Sequence, residues 1–235
     1  IAGSPYAKLY TELLEGGACF KLKVDGAYLD AQLIGICQDA RSDNGRRAGL
    51  TFQTKDVYAY NNKKSNAAGG GTFNTQMNPL DKNDGGWQAM PLRERLRTTF
   101  MNSLDGQLRT AIAPLRKSQQ IFGDIGAASL QNTTGKEGET IWLPSRYELS
   151  GMIFDRYNES EAIGNSSYKP FQYHAFAGSN GSRLYNEYFN DSIPGWWTRS
   201  AYRSNRSIFC QVNGVDGRFS QNAAYAGGVA PCFAL

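Results

Sequence analysis

Trp196-Trp197-Thr198-Arg199-Ser200 and Gly228-Val229-Ala230-Pro231-Cys232-Phe233 bracket the stretch whose reading decides the fold. Between these apolar ends runs a segment rich in Ser, Asn, Arg, Gly, Tyr and Asp, with little hydrophobic period. So polar a stretch between two apolar anchors reads as a surface that the anchors hold up to solvent. Short strands are expected at Trp196–Ser200, Ser207–Val212 and Val229–Leu235, with the display between them.

Working back from the tail, residues 155–195 are irregular and aromatic-rich. Thr140-Ile141-Trp142-Leu143 reads as a strand ended by Pro144. Ser145-Arg146-Tyr147-Glu148 is a capping box that opens a short helix through Met152. Leu92, Leu96, Phe100 and Leu104, with Met101 alongside, give one amphipathic helix. Leu108, Ile112 and Leu115 give a second after Asp105-Gly106. Arg93, Glu94, Arg95 and Arg97 read as a solvated face. Residues 61–86 and 123–139 read as loops, and Gly69-Gly70-Gly71 as a flexible linker without the Lys of a phosphate loop. Near the start, Ala7–Glu15 has helical spacing and stops at Gly16-Gly17. Residues 18–24, alternating through Cys19, Phe20, Leu22 and Val24, and Tyr28–Ile36 flank Asp25-Gly26 as a β-hairpin, and Ala48–Gln53 is another strand. Strands, then helices, then short strands in long loops make an α+β pattern around one core. Residues 1–17 form a helical lead-in and residues 18–235 one domain.

The chain has 235 residues, 40% of them hydrophobic and 20% charged, which suits a globular protein with a core. Its net charge of +4 is spread out without a basic block, which argues against nucleic-acid binding. No apolar run has the length of a membrane span. The chain opens Ile1-Ala2-Gly3 without Met, which is compatible with removal of an upstream segment and with export. Cys19, Cys37, Cys210 and Cys232 are widely spaced, and His174 is the single imidazole, so a zinc site or a His-based triad is not expected. Buried free thiols are the simplest reading of the cysteines. Cys210 with Cys232 is the pair to test for a disulfide. No catalytic residue, metal or cofactor is expected.

Residues 198–235 contain no Lys, Glu, Met or Trp, although all four Trp and all four Met of the chain precede them. An AAC codon randomised at both adenines encodes fifteen residue types, and Lys, Glu, Gln, Met and Trp are not among them.

Here the chain resembles the C-type-lectin-fold variable proteins of diversity-generating retroelements, over roughly residues 20–235. The marks are Ile34-Gly35-Ile36 with Thr51-Phe52, and Met77-Asn78 before Gly85-Gly86-Trp87. Leu92-Arg93, Pro114-Leu115-Arg116-Lys117 and Trp142-Leu143-Pro144-Ser145 with Glu148 follow, and the anchored tail is the most specific element. The resemblance implies a C-type lectin fold whose tail, about residues 198–228, is rewritten by adenine-directed mutagenesis. The variable face would be Tyr202, Arg203, Ser204, Asn205, Arg206, Ser207 and Ile208, then Asn213, Val215, Asp216, Arg218, Phe219, Tyr225 and Ala226. Gln211 and Gln221 fall outside the set that AAC permits. Trp196, Trp197, Phe209, Val212, Val229 and Phe233 would be the scaffold anchors. Arg199, Arg203, Arg206 and Arg218 against Asp216 would make the tail locally positive. The implied function is binding, by a protein displayed on a phage particle or bacterial surface, of a protein or glycan target on a host or neighbouring cell. A structural virion or surface subunit with an invariant loop is the alternative. A formylglycine-generating-type enzyme, which would use Cys210 and Cys232, is a further one. The calcium-binding triplet of sugar-binding C-type lectins is absent from the sequence.

Overall fold

Asp25 and Gly26 both take positive φ, 47° and 82°, as a two-residue hairpin whose turn follows the strand twist requires. They join β1 (Cys19–Val24) to β2 (Ala27–Ile36). The computed structural model describes residues 7–120, 130–132, 138–150, 195–202, 205–212 and 219–235. β3 (Leu50–Thr54) pairs with β2, and β11 (Cys232–Ala234) pairs with the other edge of β3, giving an antiparallel sheet ordered β1-β2-β3-β11. The end of the chain is thereby bound to its beginning. Phe20, Phe52 and Phe233 meet across these strands, with the Phe52 and Phe233 rings stacked at 5.6 Å. Ahead of the sheet, α1 (Ala7–Glu15) buries Leu14 in the core.

A second antiparallel sheet is ordered β10-β9-β8, from β8 (Trp196–Ala201), β9 (Ile208–Val212) and β10 (Phe219–Asn222). Every residue of β8 is buried, so it is covered on both faces. Single bridges lace the two sheets and the central loop together: Trp142 to Cys232, Ala59 to Val229, and Trp196 to Gly228. The helices are α2 (Pro91–Arg95), a π-helical stretch Leu96–Phe100, α3 (Met101–Ser103) and α4 (Gly106–Ala111). A strict four-residue repeat drifts around an ordinary α-helix. The wider turn of the π stretch keeps Leu92, Leu96 and Phe100 on one buried face. The described elements are mixed helix and antiparallel strand, an α+β arrangement.

Several expectations are corrected. The second helix ends at Ala111, and Ile112 and Leu115 lie in extended chain, where Leu115 bridges Arg41 and Glu139. Arg93, Arg95 and Arg97 are half-buried, and only Glu94 of that group is exposed. Arg93 is drawn inward by Glu139, which is itself fully buried and takes the guanidinium at 2.6 and 2.8 Å. Residues 61–86 are not a structureless loop. They continue a small hairpin, β4 (Ala59–Tyr60) and β5 (Lys63–Lys64), turned by Asn61 and Asn62 at positive φ, and they bury Phe73, Thr75, Met77 and Asn83. Gly69, Gly70 and Gly71 are pinned by backbone hydrogen bonds to Asn66, Ser65 and Lys64 rather than forming a linker. Within the expected 123–139 loop, β7 (Leu130–Asn132) pairs with β6 (Ser118–Gln120). Around Trp142 the chain makes single bridges instead of a strand. The capping box is present as read: Ser145 N–H donates to Glu148 Oε2 at 2.9 Å and Glu148 N–H to Ser145 Oγ at 3.1 Å, opening α5 (Arg146–Ser150). Residues 151–152, the aromatic-rich stretch up to residue 194 and His174 lie outside the described residues.

Candidate binding face

Among the described residues, the tail between β8 and β11 is held mainly by its backbone. Asn83 is fully buried, and its amide NH2 donates to the carbonyls of Tyr202, Asn205 and Ile208 at 3.0, 2.9 and 2.8 Å. Its own N–H donates to the Arg206 carbonyl at 2.6 Å. Two amide hydrogens shared by three acceptors make one bond of the set three-centred. The turn after β10 is held the same way. Asn78 N–H donates to Ala223 O and Asn61 N–H to Ala226 O, at 2.9 and 3.2 Å. Gln76 Nε2 donates to Ala224 O at 2.6 Å, and Asp81 Oδ1 accepts Ala224 N–H at 3.2 Å. The central loop 59–90 therefore reads the tail's main chain and makes few demands on its side chains.

Those side chains are distributed accordingly. Asn205, Arg206 and Tyr225 are exposed; Tyr202, Ser207, Ile208 and Ala226 are half-buried. Arg206 Nε lies 2.9 Å from Asp84 Oδ1, with both groups well exposed, an ion pair worth little in water. Tyr225 shares a hydrogen bond with Tyr60 at 3.3 Å, and that bond, with some burial, pushes the Tyr60 hydroxyl up to about 12. Two of the expected face residues lie in strands. Ile208 opens β9, within the strand expected at Ser207–Val212, whereas Phe219 opens β10 opposite Gln211, a strand not expected there, because hairpin pairing extends further into the polar stretch than its hydrophobic pattern does. Arg203, Ser204, Asn213, Val215, Asp216 and Arg218 lie outside the described residues.

Beneath the face, Trp196, Trp197, Phe209, Val212, Val229 and Phe233 are all buried, and Trp197 Nε1 donates to Thr75 O at 2.8 Å. Gln211 is buried among them. A Cβ at Gly227 would stand 2.1 Å from its Nε2 and 2.8 Å from Trp197 Nε1, so this close approach requires glycine.

Arg199 is not part of a positive tail. It is fully buried and ion-pairs with Glu148 through Nη1, which also donates to Leu143 O at 2.9 Å. Lys117 completes the cluster, paired with Glu148 at 3.0 Å and with Asp39, and lying 4.6 Å from the centre of the Trp142 ring. Thr51 Oγ1 donates to Asp39 Oδ2 at 2.7 Å. Two acids and two bases cancel, as charges this deeply buried must. Burial alone would raise the Glu148 carboxyl, but Arg199 and then Lys117 outweigh it and hold it at about 2. Cys210 and Cys232 are buried free thiols and form no disulfide. Cys210 faces Arg146, whose Nη1 lies 3.3 Å from its sulfur, and burial pushes the Cys232 thiol well above its ordinary value. A reactive cysteine needs the opposite, exposure and a lowered pKa. Cys19 and Cys37 are exposed.

The holding residues Asn83, Gln76 and Asp81 were not legible as such. Each acts on backbone more than a hundred positions away, and nothing local sets Asn83 apart from Asn74 or Asn78. Among the described residues there is no group of three His, Cys, Asp or Glu side chains placed to hold a metal, and no helix is long and apolar enough to cross a membrane.

A family profile described as "Domain of unknown function (DUF6273)" matches residues 52–235, and the chain belongs to that family. No curated protein and no solved structure matches it.

Proposed function

We propose that this DUF6273 protein is a ligand- or receptor-binding protein of the C-type lectin fold, carried on a phage particle or bacterial surface, whose C-terminal face is diversified by a retroelement. The observation that carries the reading is the mode of attachment of the tail. Asn83, Asn78, Asn61, Gln76 and Asp81 engage main-chain atoms of residues 202–226, and main-chain atoms are the same whatever side chain a codon encodes. A display surface built so can change residue identity at Asn205, Arg206, Ser207 and Tyr225 while the scaffold below stays fixed. Exposed Tyr, Arg and Asn are also what paratopes use for rigid anchoring and adaptable hydrogen bonding. The buried, raised Cys232 thiol weighs against the oxidising-enzyme alternative.

The test is to sequence the 3′ end of this gene and its flanking DNA across many copies from its source population. Substitutions confined to adenine positions of a nearby near-repeat, with Trp196 and Phe233 constant, are expected. An invariant tail without a near-repeat overturns the reading in favour of a structural subunit.

A further inference from the structure

A second site lies outside the tail. Asn62, Thr72, Phe73, Asn74, Arg95 and Thr99 line an open pocket of about 430 Å³, where the β4–β5 hairpin meets the π-helical stretch. That volume suits a small ligand of monosaccharide size. The walls are rich in hydrogen-bond donors. Asn62 Oδ1 accepts Thr75 N–H at 3.0 Å and Asn74 Oδ1 accepts Gln76 N–H at 3.0 Å. With both amide oxygens engaged, each side chain has its NH2 left to offer. Thr72 and Thr99 add hydroxyls. Arg95 supplies the charge. One Nη2 bond goes to the Gln76 carbonyl, its Nε is buried with no hydrogen-bond partner, and among the described residues no carboxylate pairs with it. Desolvation is the one influence on its titration, and it acts against the charge. Thr72 is held in place by a backbone bridge to Lys63. A half-buried guanidinium without a counter-anion is costly, and a donor set of this kind is complemented by an anion that also carries hydroxyl acceptors.

We propose that this pocket binds a small carboxylate-bearing polyol, of the sugar-acid class, with Arg95 taking the carboxylate and Asn62, Asn74 and Thr99 its hydroxyls. None of these residues belongs to the tail, so the specificity is the same whatever the tail encodes, and the site stands or falls independently of diversification. Through the Gln76 carbonyl, Arg95 is one residue's length from the side chain that holds Ala224. An occupant therefore sits beside the display face.

The probe is sodium glucuronate, titrated into the full chain and followed by amide chemical shifts, with glucose and propionate in parallel. Glucuronate is expected to shift Asn62, Thr72, Asn74 and Thr99 with a Kd in the range of about 1 mM, and at least about tenfold more tightly than either control. Arg95→Gln is expected to abolish the preference over glucose. Because Arg95 also supports Gln76, a second variant, Thr99→Trp, fills the pocket from an exposed position with the guanidinium intact, and is expected to block binding with the fold unchanged. Equal shifts from glucose or propionate, shifts elsewhere on the surface, unaltered binding by Thr99→Trp, or no shift with glucuronate would overturn the assignment.

Discussion

Asn83 shows how much one amide can hold. Four tail carbonyls converge on it, all from residues 202–208, and it is fully buried beneath them. Removing the amide leaves carbonyls facing a void with no donor, and an unmet buried polar group costs about 1–3 kcal/mol. Asn83→Ala is therefore expected to destabilise the fold by about 2–3 kcal/mol in urea unfolding. Its local mark would be faster hydrogen exchange at Tyr202 and Ile208, whose backbone bonds depend on that loop. Arg206→Ala, a few residues away, is the contrast. Its partner Asp84 is exposed and the pair is screened, so stability should stay within about 0.5 kcal/mol of the parent. If Arg206→Ala costs as much as Asn83→Ala, the tail is held by its side chains and the display argument fails.

Between elements, the tightest constraint is where the tail turns back under β8 and β9. Gly227 stands against the buried side chains of Gln211 and Trp197, neither of which has room to retreat. Gly227→Ala is expected to cost about 1–3 kcal/mol of overpacking and to lower the thermal midpoint by several degrees, read by calorimetry. Gly26 takes positive φ with open space around it, so Gly26→Ala tests backbone strain alone and should cost less. The elements legible in the sequence were those with local causes. The Asp25-Gly26 hairpin, the Ser145–Glu148 capping box and the apolar anchors of β8 and β9 each carry their reason within a few positions. What stayed hidden has distant causes. Arg93 turns inward for Glu139, forty-six positions on, and the 61–86 segment is ordered by the very tail that it supports. The same holds for the pocket at Arg95, where a charged helix face looks solvated until the hairpin folds over it. Strand β10 was missed because a polar strand at a sheet edge has no apolar period to read.

At the scale of the whole molecule, the cluster of Asp39, Lys117, Glu148 and Arg199 joins chain segments from before β3, before β6, from α5 and from β8. Each charge is tolerated because its partners are present, so the cluster acts as one unit and its failure reaches both sheets. Glu148 is the hinge of that dependence, since both bases meet it. Its carboxyl sits at about 2 in the fold against an ordinary value of 4.5. A carboxyl depressed on folding stabilises fully above its unfolded value, and the benefit is lost as pH falls through the folded one. Glu148 should thus contribute on the order of 3 kcal/mol at neutral pH, lost between about pH 4.5 and pH 2. Urea midpoints measured across that range should fall steeply for the parent. Glu148→Gln removes one carboxylate and leaves Arg199 and Lys117 undercompensated, so it should be less stable at pH 7 by about 3–5 kcal/mol. Its midpoint should depend less on pH, and the two curves should converge towards pH 2. Parallel curves would mean that acid unfolds the protein elsewhere, and that the buried cluster is a passenger of the fold and not what ties its sheets together.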